Sequence, residues 1–228
     1  MYKDFSYKVD SGTQALVEAL TALNSKVVII PTYTCDDILT AVKRAKCEYI
    51  IVDCGLDLQI DLKEVQQHAT NADTVIVPHM FGIRADVKGI RETTNLKVIE
   101  DLSQCHGLPE LGRHCDIAIT STNKSKWVDS KGGGFVFADI KLDLPPKNFS
   151  IYSSQIKSHY EIRKQRAEEL ISAGVELIGK ESSYLRGMYF TDSPKRLPYT
   201  PLHIIEGRVG CPQVSSYFKR LDWVSIFV

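Results

Sequence analysis

Four short stretches of this 228-residue chain carry side chains able to do chemistry. In the first, Thr120-Ser121-Thr122-Asn123-Lys124-Ser125-Lys126 is followed by Gly132-Gly133-Gly134. A lysine shortly after a strand and before a glycine loop can be set against a ligand without steric obstruction. In the second, Ser11-Gly12-Thr13 opens a helical pattern. Free N–H groups and the positive helix end favour an anion there, and glycine lets the backbone approach it. The same residues also read as a plain helix cap. The third stretch, Val98 to Gly107, sets Asp101 just past the carboxyl end of an inner strand. That is where α/β folds gather ligand-contacting groups. If the strand geometry continues, Asp101 and Ser103 point to one face; an aspartate capping a turn is the competing reading. The fourth is the strand-end turn Pro78-His79-Met80-Phe81-Gly82. The Gly-x-x-x-x-Gly-Lys-Ser/Thr order of a phosphate loop is absent, which argues against an ATPase.

These groups need elements to position them. Apolar residues 16, 19, 20 and 23 form a helical stripe behind the Ser/Thr cap. Helices are also predicted at 36–46, 62–68 and 87–93. Short β-branched runs at 26–30, 49–52, 74–77 and 96–99 predict buried strands, and 115–120 and 134–138 add two more. Strands alternating with helices predict an α/β domain with a mainly parallel sheet covered on both faces. Asp143-Leu144-Pro145-Pro146 reads as a linker. A charged amphipathic helix is predicted over 155–177, with Arg163 and Arg166 as solvated charges. Pro194, Pro198, Pro201 and Pro212 break any long element beyond residue 178. The expected division is 1–142 and 143–228.

Lysine plus arginine number 28, as do aspartate plus glutamate. Zero net charge opposes binding dominated by a nucleic-acid backbone. The apolar runs are far shorter than the roughly 20 residues of a membrane helix. Met1-Tyr2-Lys3-Asp4 lacks the apolar core of a signal peptide. The six cysteines, at 35, 47, 54, 105, 115 and 211, include no Cys-x-x-Cys pair. They read as reduced thiols of a cytoplasmic protein. Cys105-His106 with His114-Cys115 comes nearest to a metal cluster, yet its spacing fits no standard zinc pattern and no metal is expected.

Taken together and in order, the motifs resemble the DegT-type sugar aminotransferases, a branch of the fold-type-I pyridoxal-phosphate enzymes. The resemblance runs from Ser11-Gly12-Thr13-x-Ala15-Leu16 through Ile30-Pro31-Thr32-Tyr33-Thr34, Val52-Asp53 and Pro78-His79-Met80-Phe81-Gly82-x-x-Ala85-Asp86. It continues in Ile99-Glu100-Asp101-x-x-Gln104-x-His106-Gly107 and ends in the lysine–glycine segment near Phe137. It implies a three-layer large domain with a mainly parallel sheet, plus a short, reduced C-terminal segment. Lys126, seven residues before Gly133, matches the Schiff-base lysine, with Lys124 as its competitor. Asp101 matches the carboxylate that pairs with the pyridinium nitrogen, and Gln104 the amide facing the phenolic oxygen. Gly12, Thr13 and Ser121 match the phosphate cradle, and Ser103 joins the cofactor-binding set.

The implied reaction is amino transfer from an amino acid, glutamate, to a nucleotide-linked keto sugar, in a cytoplasmic homodimer. A degenerate homologue acting as a binding or regulatory subunit is the alternative, and an α/β protein without the cofactor a further one. The chain departs from the family at Cys35, where an aromatic residue usually stacks on the cofactor, leaving Tyr33 or His79 for that role. Gly132 replaces an acidic residue. The stretch that reaches the partner subunit's phosphate has no match, so the expectation is a shortened member. Pro201-Leu202-His203 weakly resembles a C-terminal family stretch.

Overall fold

A computed structural model describes residues 3–123, 126–128, 131–179, 182–183, 187–190 and 221–224. Lys124, Cys211, Pro201-Leu202-His203 and the other late prolines lie outside the described residues.

The elements that carry the site form one seven-stranded sheet between two helical layers. Strands β1 (Phe5–Val9), β2 (Val27–Pro31), β3 (Glu48–Val52), β4 (Thr74–Pro78), β5 (Lys97–Asp101), β6 (Ile117–Ser121) and β7 (Gly134–Ala138) lie in the order β1-β7-β6-β5-β4-β2-β3. β3, β2, β4, β5 and β6 run parallel, whereas β7 pairs antiparallel with β6 and β1 antiparallel with β7. Helices α1 (Gly12–Ala22) and α2 (Asp36–Arg44) cover one face; α3 (Leu62–His68), α4 (Val87–Thr93) and α5 (Ser153–Ser172) cover the other. A separate hairpin pairs β8 (Gly187–Phe190) with β9 (Leu221–Val224).

The alternation of side chains along each strand divides the core into two layers. Val28, Ile30, Ile76, Ile99, Ile117 and Ile119 pack beneath α1 and α2. Ile29, Val75, Val77, Val98, Ala118 and Phe135 pack on the opposite side with Val65, Ile90 and Trp127. Both faces are buried, which is why these strands are continuously apolar. Among the described residues, no helix is long and apolar enough to cross a membrane.

Four expectations are corrected. β1 is an additional strand: Phe5, Tyr7 and Val9 alternate with Ser6 and Lys8, and the whole run pairs with β7. The Pro145-Pro146 stretch is not a free linker. Lys8 N–H donates to Pro145 O at 3.3 Å and Lys147 N–H to Ser6 O at 2.9 Å. The stretch thereby covers the outer edge of β1 with residues that carry no N–H of their own. The long helix stops at Ser172 because Gly174 adopts φ +87°, and Val175 N–H turns back to Leu170 O. This is a glycine-dependent C-terminal cap.

Arg163 is the fourth correction. It is 2 % exposed, and its guanidinium carbon lies 4.2 Å from the centre of the Trp127 ring. Burial draws its pKa down to about 10. Arg166, by contrast, is exposed and pairs with Glu169 at 2.6 Å. Arg163→Ala should therefore cost about 2 kcal/mol in urea unfolding, through lost packing and the lost cation–ring contact. Arg166→Ala should change stability by no more than about 0.5 kcal/mol.

Candidate active site

The residues singled out by sequence come together at the carboxyl ends of β4, β5 and β6, beneath the N-terminus of α1. Gly12, Thr13, Asp101, Ser103, Gln104, Ser121 and Lys126 line one cavity of about 180 Å³. Cys35, Asp37, Thr34, Pro78, His79, Met80 and Asn123 complete much of its wall.

Glycine makes this convergence possible. A Cβ on Gly12 would meet Ser121 Cβ at 2.8 Å, and one on Gly134 would meet Ser11 O at 2.4 Å. The first turn of α1 is thus seated directly against the ends of β6 and β7. Ser11 Oγ caps the helix by accepting from Gln14 N–H at 3.0 Å. The earlier N–H groups of the turn stay available to an anion. Thr13 Oγ1 is already engaged, donating to Asp37 Oδ1 at 3.1 Å.

Asp101 shares its sheet face with Ile99 and faces the α1 side, whereas Glu100 faces the opposite layer. The strand ends there, and the chain turns: Ser103 N–H donates to Asp101 Oδ1 at 2.8 Å, and Ser103 Oγ accepts from Ser121 N–H at 3.0 Å. Asp101 and Ser103 therefore share the cavity through a turn, not through continued strand geometry. Burial pushes the Asp101 carboxyl above its ordinary pKa, against the Ser103 hydrogen bonds and the Lys126 charge. A carboxyl in that state suits a cationic or N–H-bearing partner.

Lys126 follows a turn closed by its N–H to Asn123 O at 2.9 Å. Its neighbour Trp127 is fully buried and anchors the segment, donating Nε1–H to Gln104 O at 3.1 Å. His159 Nδ1 on α5 lies 3.1 Å from Trp127 O. Gln104 Oε1 accepts from Phe81 N–H at 2.8 Å, which leaves the amide nitrogen as its donor; Nε2 lies 3.7 Å from Met80 Sδ. Gln59 holds the same turn from below, accepting from Met80 N–H at 3.0 Å and donating to Met80 O at 3.3 Å. These bonds sustain Phe81 at φ +59°, a left-handed conformation that a buried phenylalanine rarely adopts.

His79 is 1 % exposed, with both ring nitrogens engaged. Nδ1 accepts from Ala85 N–H at 3.0 Å, so Nε2 carries the proton and donates to Glu100 Oε1 at 2.9 Å. Burial alone would raise the Glu100 pKa, but His79 and Gly112 N–H together bring it below the usual value. His79 thus contributes a fixed ring to the wall. Tyr33 lies in another cluster, its ring 6.0 Å from that of Phe81. Cys35 is a protonated thiol, pushed up to about 11 by burial.

The sequence reading missed Asp37, although it stands two residues beyond the noted Cys35. It also missed Trp127, whose position beside the lysine was the available signal. The Cys105, His106, His114 and Cys115 set does not converge: Cys105 Sγ lies against Gly82 O, His106 Nε2 against Thr120 Oγ1 and His114 against Glu110. Among the described residues, no three His, Cys, Asp or Glu side chains are gathered around a metal position.

Comparison with known proteins gives the family and the fold. A sequence model of the DegT/DnrJ/EryC1/StrS aminotransferase family matches residues 2–157. The 3-oxo-glucose-6-phosphate:glutamate aminotransferase of Bacillus subtilis (strain 168) is 32 % identical over 166 residues, which are 68 % of this chain and 38 % of that protein. The structure of NtdA from Bacillus subtilis with bound cofactor PMP superposes with a TM-score of 0.69 at 21 % identity, over 83 % of this chain and 55 % of the other. DesV of S. venezuelae gives 0.77 at 20 % identity, over 96 % and 79 %. The chain spans 38 % of the length of the curated relative and about half that of NtdA. The shared architecture is the fold-type-I transferase fold.

One buried group beside the site gives a pH signature. His106 is 3 % exposed and ring-stacked on Phe149, and burial lowers its pKa from 6.5 to about 3. Its neutral form is favoured by folding. The resulting stability is complete above about pH 6.5 and is lost progressively as pH falls toward 3. His106→Asn, which does not titrate, should flatten the urea-midpoint profile between those two values.

Proposed function

The chain belongs to the DegT/DnrJ/EryC1/StrS aminotransferase family, and from that premise we propose that its cavity holds pyridoxal 5'-phosphate and serves amino transfer to a keto sugar. The observation that carries the reading is the convergence of the α1 N-terminus, Asp101 and Lys126 on one small cavity. The donor set suits this cofactor at each end. Backbone N–H groups of the first α1 turn and the Ser121 hydroxyl would hold the phosphate. The Asp101 carboxyl would pair with the protonated ring nitrogen. Gln104 Nε2 is the donor for the phenolic oxygen, and His79 or Cys35 would face the ring.

Bound there, the cofactor supplies an aldehyde that exchanges oxygen for an amino group and a ring that accepts electrons. The chain's own residues do the rest. Asp101 would hold a proton on the ring nitrogen. Lys126 Nζ would carry the proton released from the donor's α-carbon. Trp127 and the Asn123 turn keep that amine in place.

The Bacillus subtilis relative is named for glutamate and a 3-oxo sugar phosphate. We carry over glutamate as the donor and, as the acceptor, a keto sugar bearing a phosphate ester, as a nucleotide-linked sugar also does. Amino-sugar biosynthesis in the cytoplasm, by a homodimer, belongs to the same reading. Residues 1–142 would be the cofactor unit and 143–228 the second, reduced unit.

Adding pyridoxal phosphate to the protein should produce a visible band, and borohydride reduction with peptide mapping should label Lys126 and not Lys124. Lys126→Ala should abolish the band. Asp101→Asn should keep the far-UV spectrum while slowing the glutamate half-reaction at least about a hundredfold. A colourless wild-type protein, or a label on Lys124, would reject the assignment.

A further inference from the structure

We propose that Asp37 is an internal anion that competes with phosphate for the cradle at the start of α1, and so sets how tightly the site takes a phosphorylated ligand. The inference rests on the proposed cofactor site. Asp37 lies on the wall of the same cavity as Gly12, Thr13 and Ser121. Its Oδ1 accepts from Thr13 Oγ1 at 3.1 Å, and its Oδ2 lies 3.4 Å from Cys35 Sγ.

The local reason for an acid here is simple. Cys35 caps α2 without a side-chain hydrogen bond, and Asp36 and Asp37 fill the first turn, where the positive end of the helix stabilises carboxylates. In three dimensions the α1 and α2 N-termini meet, so the same carboxylate also reaches the first turn of α1. It occupies the Thr13 hydroxyl, one of the few donors of the cradle, and puts a negative charge where a phosphate dianion would lie. Like charges at this range repel, although the exposed position of Asp37 leaves the effect partly screened.

Two consequences separate this arrangement from an acid that merely serves α2. Removing the charge should help phosphorylated ligands only. The Thr13 hydroxyl should matter more once Asp37 has released it. Equilibrium titrations would use pyridoxal phosphate and pyridoxal, read by the visible band, and inorganic phosphate, read by calorimetry. The proteins are wild type, Asp37→Asn, Thr13→Val and the double variant, each checked by thermal unfolding.

Asp37→Asn should tighten pyridoxal phosphate and inorganic phosphate by about fivefold, the upper end for one partly screened charge contact. Pyridoxal binding should move by less than about twofold. Thr13→Val should cost several-fold more affinity for phosphorylated ligands in the Asp37→Asn background than in the wild type. Unchanged or weaker phosphate binding in Asp37→Asn, with the visible band intact, would overturn the inference and leave the cofactor reading standing. Equal tightening of pyridoxal would overturn it too. Tighter inorganic phosphate without any visible band would support the anion cradle while rejecting the cofactor reading.

Discussion

The close approach of the first turn of α1 to the ends of β6 and β7 is the constraint on which the rest of the site depends. It exists because Gly12 and Gly134 have no Cβ; a methyl group at either would meet Ser121 or the Ser11 carbonyl well inside van der Waals contact. Seated that way, a helix N-terminus faces the sheet end where Asp101 and Ser121 already point. Helix dipole, backbone donors and carboxylate then act across one small space. The antiparallel β6–β7 pair that brings Gly134 beside Ser121 is equally required.

Adjacent residues are sorted by strand alternation. Glu100 and Asp101 are both acids on β5, yet they serve opposite layers. Asp101 faces the cavity and has burial raising its pKa, whereas Glu100 is brought down by His79 and Gly112. The pleat gives two carboxylates two environments within one residue step. His79, pinned through both nitrogens, stands as a wall fixed in one tautomer.

The turn after β4 stores strain at Phe81 and is over-determined by two glutamines, Gln59 from one side and Gln104 from the other. Gln104 also takes the Trp127 indole on its backbone carbonyl, so the amide and the lysine segment are located by one residue. Buried Arg163, laid over Trp127 from α5, extends this support into a helix outside the sheet. The site is thereby held from three elements distant in sequence.

By itself the sequence determined the alternating α/β order, nearly every strand of the sheet and seven of the residues that line the cavity, because β-branched runs, helix caps and glycines act locally. Its motif order also carried the family resemblance. The edge strand β1 was legible in its period of two but masked by Ser6 and Lys8. Only the tertiary structure decided that Pro145-Pro146 lines a sheet edge, that Arg163 is buried and that Tyr33 packs with Phe81 and Met80 and is not part of the cavity lining. It alone brought Asp37 against Thr13, 24 residues away. These outcomes depend on which faces meet across the fold, and a side chain's neighbours along the chain carry no record of that. Charge on Asp37 and Arg163 reads locally as solvated surface; packing of α2 against α1, and of α5 against Trp127, gives each its partner.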